Sequence, residues 1–157
     1  PNGRMELVNI LYNGSKIFID YAHTPDALKN ILTKNIFVKK PDLVFGCGGD
    51  RDKAKRKIMG KIASKHANKI YITDDNPRNE NPESIRNEIY KNCKRALIIA
   101  SRAQAIKKSI ENLDPNSILI IAGKGHEKKQ IFSNKKINFD DYQVAQSCIR
   151  EINNGKK

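Results

Sequence analysis

Tryptophan is missing from this chain of 157 residues, and aromatic residues of all kinds make up only 6% of it. Surfaces that bind nucleic acid by stacking bases need several such rings, so a stacking platform is poorly supported. Cysteine is scarce too. Cys47, Cys93 and Cys148 are far apart and odd in number, with no CxxC pair and no metal-ligand spacing. That pattern argues against a disulfide framework or a zinc site and reads as reduced thiols in a cytoplasmic protein. No apolar run approaches the roughly 20 residues of a membrane span. The opening, PNGRMELVNI, has neither the apolar stretch nor the cleavage pattern of a secretory signal. It also lacks an initiator Met and reads as the interior of a longer chain. Two phosphate-binding patterns, GxxxxGK[ST] and GxGxxG, are absent.

Acid is in short supply: 17 Asp and Glu stand against 30 Lys and Arg, a net charge of +13. Such a charge raises nucleic acid as a partner, and a basic α/β nucleic-acid-binding module is the alternative reading. The lysines, however, are spread along the chain among acids, with many Asn and Ile, a mixture that AT-rich codons supply. Charge clustered on one face would favour that module. Dispersed charge beside a pocket would favour a small-molecule site.

Apolar runs are present and regularly punctuated. RMELVNILYNGSKIFIDYA reads as two short strands around Asn13-Gly14, a hairpin signal. TPDALKNILTKN follows as a helix, with Thr24 suited to cap it and Pro25 to its first turn. PDLVFGCGG is a buried strand, and DKAKRKIMGKIASKHA a helix with an apolar stripe of Ile58, Met59, Ile62 and Ala63. KIYITDD, RALIIAS and SILIIA are further strands. NPESIRNEIYKNCK, capped by Asn81, RAQAIKKSIENL and FDDYQVAQSCIREIN are helices. This alternation implies an α/β fold: a Rossmann-like, mostly parallel sheet with helices on both faces, preceded by a short N-terminal hairpin. The spacing suits one domain, with no repeat and no linker.

In such sheets ligands gather at the carboxyl ends of the strands, and four strand ends carry unusual residues. In FGCGGDRDK the glycines permit either close approach to a ligand or a tight turn. Arg51 beyond them can reach a carboxylate or phosphate, or pair with Asp50 or Asp52. TDDNPRN offers acids for an ammonium, an amide, and an arginine fork for a carboxylate, in a loop stiffened by Pro77. Taken alone it is equally a polar turn. AGKGHE places Lys124, His126 and Glu127 on a glycine turn. Glu127 can join the acids, and His126 is either a proton shuttle or a structural histidine. In DYAHTPD, Asp20 and His23 stand at a helix entrance, where they either face a nucleotide phosphate or hold the turn. His66, on a helix surface, has no evident role.

Taken together, GRMEL, DYAHTPDAL, FGCGGDRDK followed by KR, TDDNPR and AGKGHE occur in the order found in the C-terminal domain of Mur ligases. The chain resembles that domain over its whole length, in the branch that adds meso-2,6-diaminopimelate. The resemblance implies a three-domain, cytoplasmic, monomeric enzyme of peptidoglycan synthesis. ATP phosphorylates the carboxylate of a UDP-N-acetylmuramoyl dipeptide, and the amine of the incoming amino acid attacks the acyl phosphate. Residues 1–157 correspond to the amino-acid-binding domain. The UDP-binding domain, and the central ATPase domain with its P-loop and Mg²⁺, lie outside this chain. The implied diaminopimelate contacts are Arg51, Asp75, Asn76, Pro77, Arg78, Asn79, Gly123 and Glu127. Asn79 departs from the small hydroxyl residue common there. Arg4, Asp20 and His23 match nucleotide-facing positions, and no catalytic or metal-binding residue is expected in this domain. Lysine-adding relatives lack the arginine at Arg78. No nucleic acid and no membrane is expected as a partner, and a Mur-type ligase for another amino acid is a further alternative.

Overall fold

A computed structural model describes residues 4–156. Its centre is a six-stranded sheet built from β1 (Glu6–Ile10), β2 (Lys16–Asp20), β3 (Asp42–Phe45), β4 (Ile70–Ile72), β5 (Leu97–Ile98) and β6 (Ile118–Ala122), in the spatial order β1-β2-β6-β3-β4-β5. Only β1 runs antiparallel, joined to β2 through the expected Asn13-Gly14 turn. The remaining pairs are parallel.

Alternate side chains of each buried strand enter opposite cores. Leu43, Phe45, Ile120 and Ala122 pack beneath α1 (Pro25–Leu32), α2 (Ala54–His66) and α3 (Pro82–Tyr90). Val44, Leu119, Ile121, Ile17 and Ile19 pack beneath α4 (Arg102–Glu111) and α5 (Asp141–Asn154). Strands covered on both faces must be apolar throughout, which is why SILIIA and DLVF show no alternation. The caps are those the sequence supplies. Thr24 accepts from Ala27 N and Asn81 from Glu83 N and Ser84 N, each with proline next in line. Ser101 and Asp140 cap α4 and α5.

Three expectations need correction. Ile58 is not part of the buried stripe of α2: it is 47% exposed, and the inward face is Arg56, Met59, Gly60 and Ala63. The strand expected over RALIIAS shrinks to Leu97–Ile98 at the sheet edge. A second hairpin, β7 (Lys129–Phe132) with β8 (Lys135–Asn138), was not expected. Its strands are short, lysine-rich and largely exposed, so they carry almost no hydrophobic period. It docks through β7, where Arg78 N donates to Ile131 O (3.0 Å).

Candidate functional site

The parallel strands β2, β3, β4 and β6 all end on one edge of the sheet, and the loops that follow them enclose a cleft of about 630 Å³. Arg51, Asp75, Asn76, Arg78, Gly123, Glu127 and His23 line it, as do Tyr21, Lys55 and the glycine turn after β3. Four separate stretches of sequence therefore converge, as the strand-end pattern required.

The loops are held close together. Gly49 sits against the proline loop so tightly that a Cβ there would lie 1.8 Å from Pro77 O. Gly123 has φ +116°, and its Cβ would meet the Asp75 carboxylate at 2.8 Å. Arg78 itself has φ +52°, a backbone region that costs a non-glycine residue energy. It is fixed there from three sides. Its N–H donates to Ile131 O of β7 (3.0 Å), its carbonyl accepts from Ser133 N (2.5 Å) and Nη1 donates to Gly49 O (3.0 Å), while the buried Gln130 holds the residues before it through Asp74 O and Asp75 O (3.2 and 2.8 Å). An arginine held in this way loses little freedom when it binds a carboxylate.

Behind the loops lies Arg56, fully buried at the start of α2. Its guanidinium donates to both carboxylate oxygens of Glu80 (2.9 and 2.8 Å), to Glu88 (2.9 Å) and to Gly48 O (3.0 Å), while Nε has no partner among the described residues. Glu80 in turn accepts from Asp50 N at 2.8 Å. One arginine thus ties the glycine turn to the loop carrying Arg78. The bidentate hydrogen bonds from Arg56 hold the Glu80 carboxyl down to about 2, below its ordinary 4.5. A depressed acid stabilises the fold above its ordinary pKa, and that contribution fades as pH falls from 4.5 toward 2. Glu80→Gln should therefore melt below the parent at pH 6, and the gap should close between pH 4.5 and 2. A pH series of melting curves checks this, and a gap independent of pH would refute it.

Asp75 is buried at the mouth of the cleft. Burial raises its carboxyl pKa, opposed chiefly by the positive charges of Arg102 and Lys124. No protein donor reaches its side chain among the described residues, and the residue lines the cleft. Glu127 accepts from Tyr21 OH at 3.0 Å and lies 3.3 Å from Lys124 Nζ. The Glu127 hydrogen bond raises the Tyr21 pKa. Cys47, also lining the cleft, has its thiol pushed up to about 12 by burial, which makes it unreactive.

The remaining expected residues bond mainly within the protein, whether or not they line the cleft. Arg51 is exposed at the rim, donating to Asp50 O (3.0 Å) rather than pairing with Asp50 or Asp52 carboxylates. Pro77 is buried behind the lining, and the Asn79 side chain donates to Asp50 (3.0 Å) outside the cleft. Asp20 accepts from Met5 N and Ala22 N (both 2.7 Å), holding its turn together. His23 Nδ1 lies 2.9 Å from Tyr21 O, and Arg4 is exposed. His126 turns from the cleft. Its Nε2 is 2.8 Å from Glu6 Oε2, but not in hydrogen-bonding geometry. Sequence reasoning missed Tyr21, Arg56, Glu80 and Gln130, and it missed the fully buried pair Arg102–Asp141 that reaches both Asp74 O and Ala122 O. Among the described residues no three His, Cys, Asp or Glu side chains group as a metal site, and no helix is long and apolar enough to cross a membrane.

The AGKGHE and DNPR loops thus meet at the carboxyl edge of a mostly parallel sheet, the arrangement of an α/β ligand-binding domain. The chain belongs to the family described as Mur ligase, glutamate ligase domain, whose model matches residues 3–125. It is 53% identical over 154 residues to the UDP-N-acetylmuramoyl-L-alanyl-D-glutamate–2,6-diaminopimelate ligase of Rickettsia rickettsii, covering 94% of this chain and 31% of that protein. The enzyme of the same name from Anaplasma marginale (strain St. Maries) is 48% identical over 156 residues, covering 97% and 32%. This chain therefore spans about a third of the length of these relatives. A solved structure of a ligase bearing that name superposes with a TM-score of 0.82 at 36% identity, covering 96% of this chain and 32% of the other. The UDP-N-acetylmuramate-alanine ligase of Thermotoga maritima shares the fold, with a TM-score of 0.64 at 17% identity over 99% of this chain and 31% of the other.

Proposed function

We propose that this chain is the amino-acid-binding domain of an ATP-dependent ligase that adds meso-2,6-diaminopimelate to UDP-N-acetylmuramoyl-L-alanyl-D-glutamate. The observation that carries this is the pairing of opposite chemistries in one cleft. Arg78 and the Asn76 amide can take a carboxylate, while Asp75 and Glu127 can take an ammonium. The distal carbon of diaminopimelate bears both groups, whereas lysine has the amine alone. The relatives named for this reaction, about half identical over nearly the whole chain, support the same substrate.

In this reading ATP transfers its γ-phosphoryl group to the dipeptide carboxylate. The free amine of diaminopimelate then attacks the acyl carbon, loses a proton and expels phosphate. The P-loop, the Mg²⁺ ligands and the UDP site belong to domains outside this chain, and the enzyme works in the cytoplasm where its nucleotide substrates are made. The exposed Arg4 and His23 meet the nucleotide when the domains close, while the buried Asp20 holds the turn that leads to His23. Arg51 adds charge at the rim of the cleft.

Two outcomes test this. The chain alone, given ATP, Mg²⁺, the UDP-linked dipeptide and diaminopimelate, should form no tripeptide, because amide formation rests on holding the acyl phosphate and the amine together. Substituted for the matching third of the Rickettsia rickettsii ligase, it should restore tripeptide formation, followed by chromatography. A folded chimera without activity on diaminopimelate would overturn the proposal. In that chimera Glu127→Gln should raise the KM for diaminopimelate while lowering stability by less than about 1 kcal/mol, since Glu127 is half-buried and Lys124 keeps two other acceptors. A much lower melting temperature would make Glu127 structural.

A further inference from the structure

Lys124 is a buried charge that ligand recognition does not by itself explain. It lies in the turn after β6 with a fully buried side chain. Lysine is almost never in that position unless its ammonium is paired. Nζ has three protons and gives them to Lys129 O (2.7 Å), Asn76 Oδ1 (3.0 Å) and Glu127 Oε1 (3.3 Å). With every donor used, Lys124 has none left for a ligand.

The consequences fall on its partners. Asn76 Oδ1 also accepts from Ile131 N at 3.0 Å. Two donors on one oxygen fix the amide in a single orientation and leave Nδ2 toward the cleft. No protein acceptor reaches Nδ2 among the described residues. Asn76 therefore offers a donor only, which suits a carboxylate. Glu127 has one oxygen on Lys124 and the other on Tyr21 OH. It is held in place with lone pairs to spare, which suits an ammonium. A single buried ammonium thus orients both a donor and an acceptor that line the cleft.

We propose that Lys124 is the positioning residue that makes this cleft selective for a carbon bearing both an ammonium and a carboxylate. It acts through Asn76 and Glu127 and touches no ligand itself. The identity of that ligand as diaminopimelate rests on the function proposed above; the positioning role does not.

The test replaces Lys124 by Met, which keeps the length and removes the donors and the charge. In the chimeric ligase, Lys124→Met should raise the KM for diaminopimelate about tenfold or more, since a small misplacement of binding groups can cost up to about a hundredfold. kcat and the KM values for ATP and the UDP-linked dipeptide should change less than about threefold. In the ¹⁵N-labelled chain, the Asn76 side-chain amide signals should move between parent and variant without any ligand. Lys124→Gln, which keeps a neutral donor, should fall between the two, and it replaces Met in both measurements if Lys124→Met does not fold. An unmoved Asn76 signal, or a loss shared equally by kcat and all three KM values, would overturn the positioning role. If the parent chimera makes no product from diaminopimelate while the Asn76 signal still moves, the substrate assignment fails and the positioning role stands.

Discussion

Arg78→Ala in the chimeric ligase carrying this chain should raise the KM for diaminopimelate by between about 30-fold and a few thousandfold. The range follows from about 2–5 kcal/mol for truncating one partner of a desolvated charge pair, at tenfold per 1.4 kcal/mol. The arginine is half-buried, anchored by Nη1 to Gly49 O, and held at positive φ by the β7 backbone. Its fork is therefore presented ready-made. Alanine keeps the backbone hydrogen bonds to β7 and adds no bulk near Gly48, so the loop should stay in place. The KM values for ATP and the UDP-linked dipeptide should hardly move. Activity on lysine, which has no distal carboxylate, should fall far less. Steady-state kinetics with each substrate varied in turn measures all four quantities. Equal losses for diaminopimelate and lysine would make Arg78 a support of the loop and remove the carboxylate clamp.

Asp141→Ala should be among the most destabilising single changes in the chain. Arg102 and Asp141 are both fully buried, joined by Nε–Oδ1 and Nη2–Oδ2 contacts of 2.7 and 2.8 Å. Removing one partner leaves a guanidinium uncompensated, a loss of about 3–5 kcal/mol. For a domain of this size that is a fall of roughly 6–20 °C in Tm. Replacing both, as in Arg102→Met with Asp141→Leu, should recover much of the loss, because well-packed apolar side chains often substitute for a buried pair. The double variant should still bind diaminopimelate less well. Arg102 also donates to Asp74 O and Ala122 O, the points where β4 and β6 release their loops into the cleft. Thermal melts of the three proteins check the first claim. A single-variant Tm within about 2 °C of the parent would contradict it.

Arg56 and Arg102 show what a linear reading misses. The buried face of α2 is Arg56, Met59, Gly60 and Ala63, and that of α4 is Arg102, Ala105, Ile106, Ser109 and Ile110. In each helix an arginine occupies the first position of the i, i+3, i+4, i+7 stripe. The spacing was legible, but a charged residue on the stripe reads as a solvated helix start until its carboxylate partners are found. Those partners, Glu80 and Asp141, are 24 and 39 residues away in sequence. Ile58 was misplaced for the complementary reason: apolarity suggested the core, while the phase of the helix turned it outward.

The sheet, its parallel order and the strand ends that form the cleft were readable, because burial on both faces and proline-marked helix starts leave strong local signals. That Arg78, Asn76, Asp75 and Glu127 line one cleft followed from their places at strand ends, while reading them as one set rested on the family resemblance, since the loop alone is equally read as a polar turn. The β7–β8 hairpin was not, and with it went the reason Arg78 and Asn76 are held as they are: Ile131 bonds to both, and Gln130 to the preceding Asp74 and Asp75 carbonyls, from a lysine-rich segment without hydrophobic period.

The most direct measurement is the ratio of kcat/KM for meso-2,6-diaminopimelate to that for L-lysine in the chimeric ligase carrying this chain. The two substrates differ only at the carboxylate that Arg78 and Asn76 are placed to receive. A ratio of about 30 or more is expected from a clamp worth at least about 2 kcal/mol, and it should collapse toward one in Arg78→Ala. A parent ratio near one would contradict recognition of the distal carboxylate by this cleft.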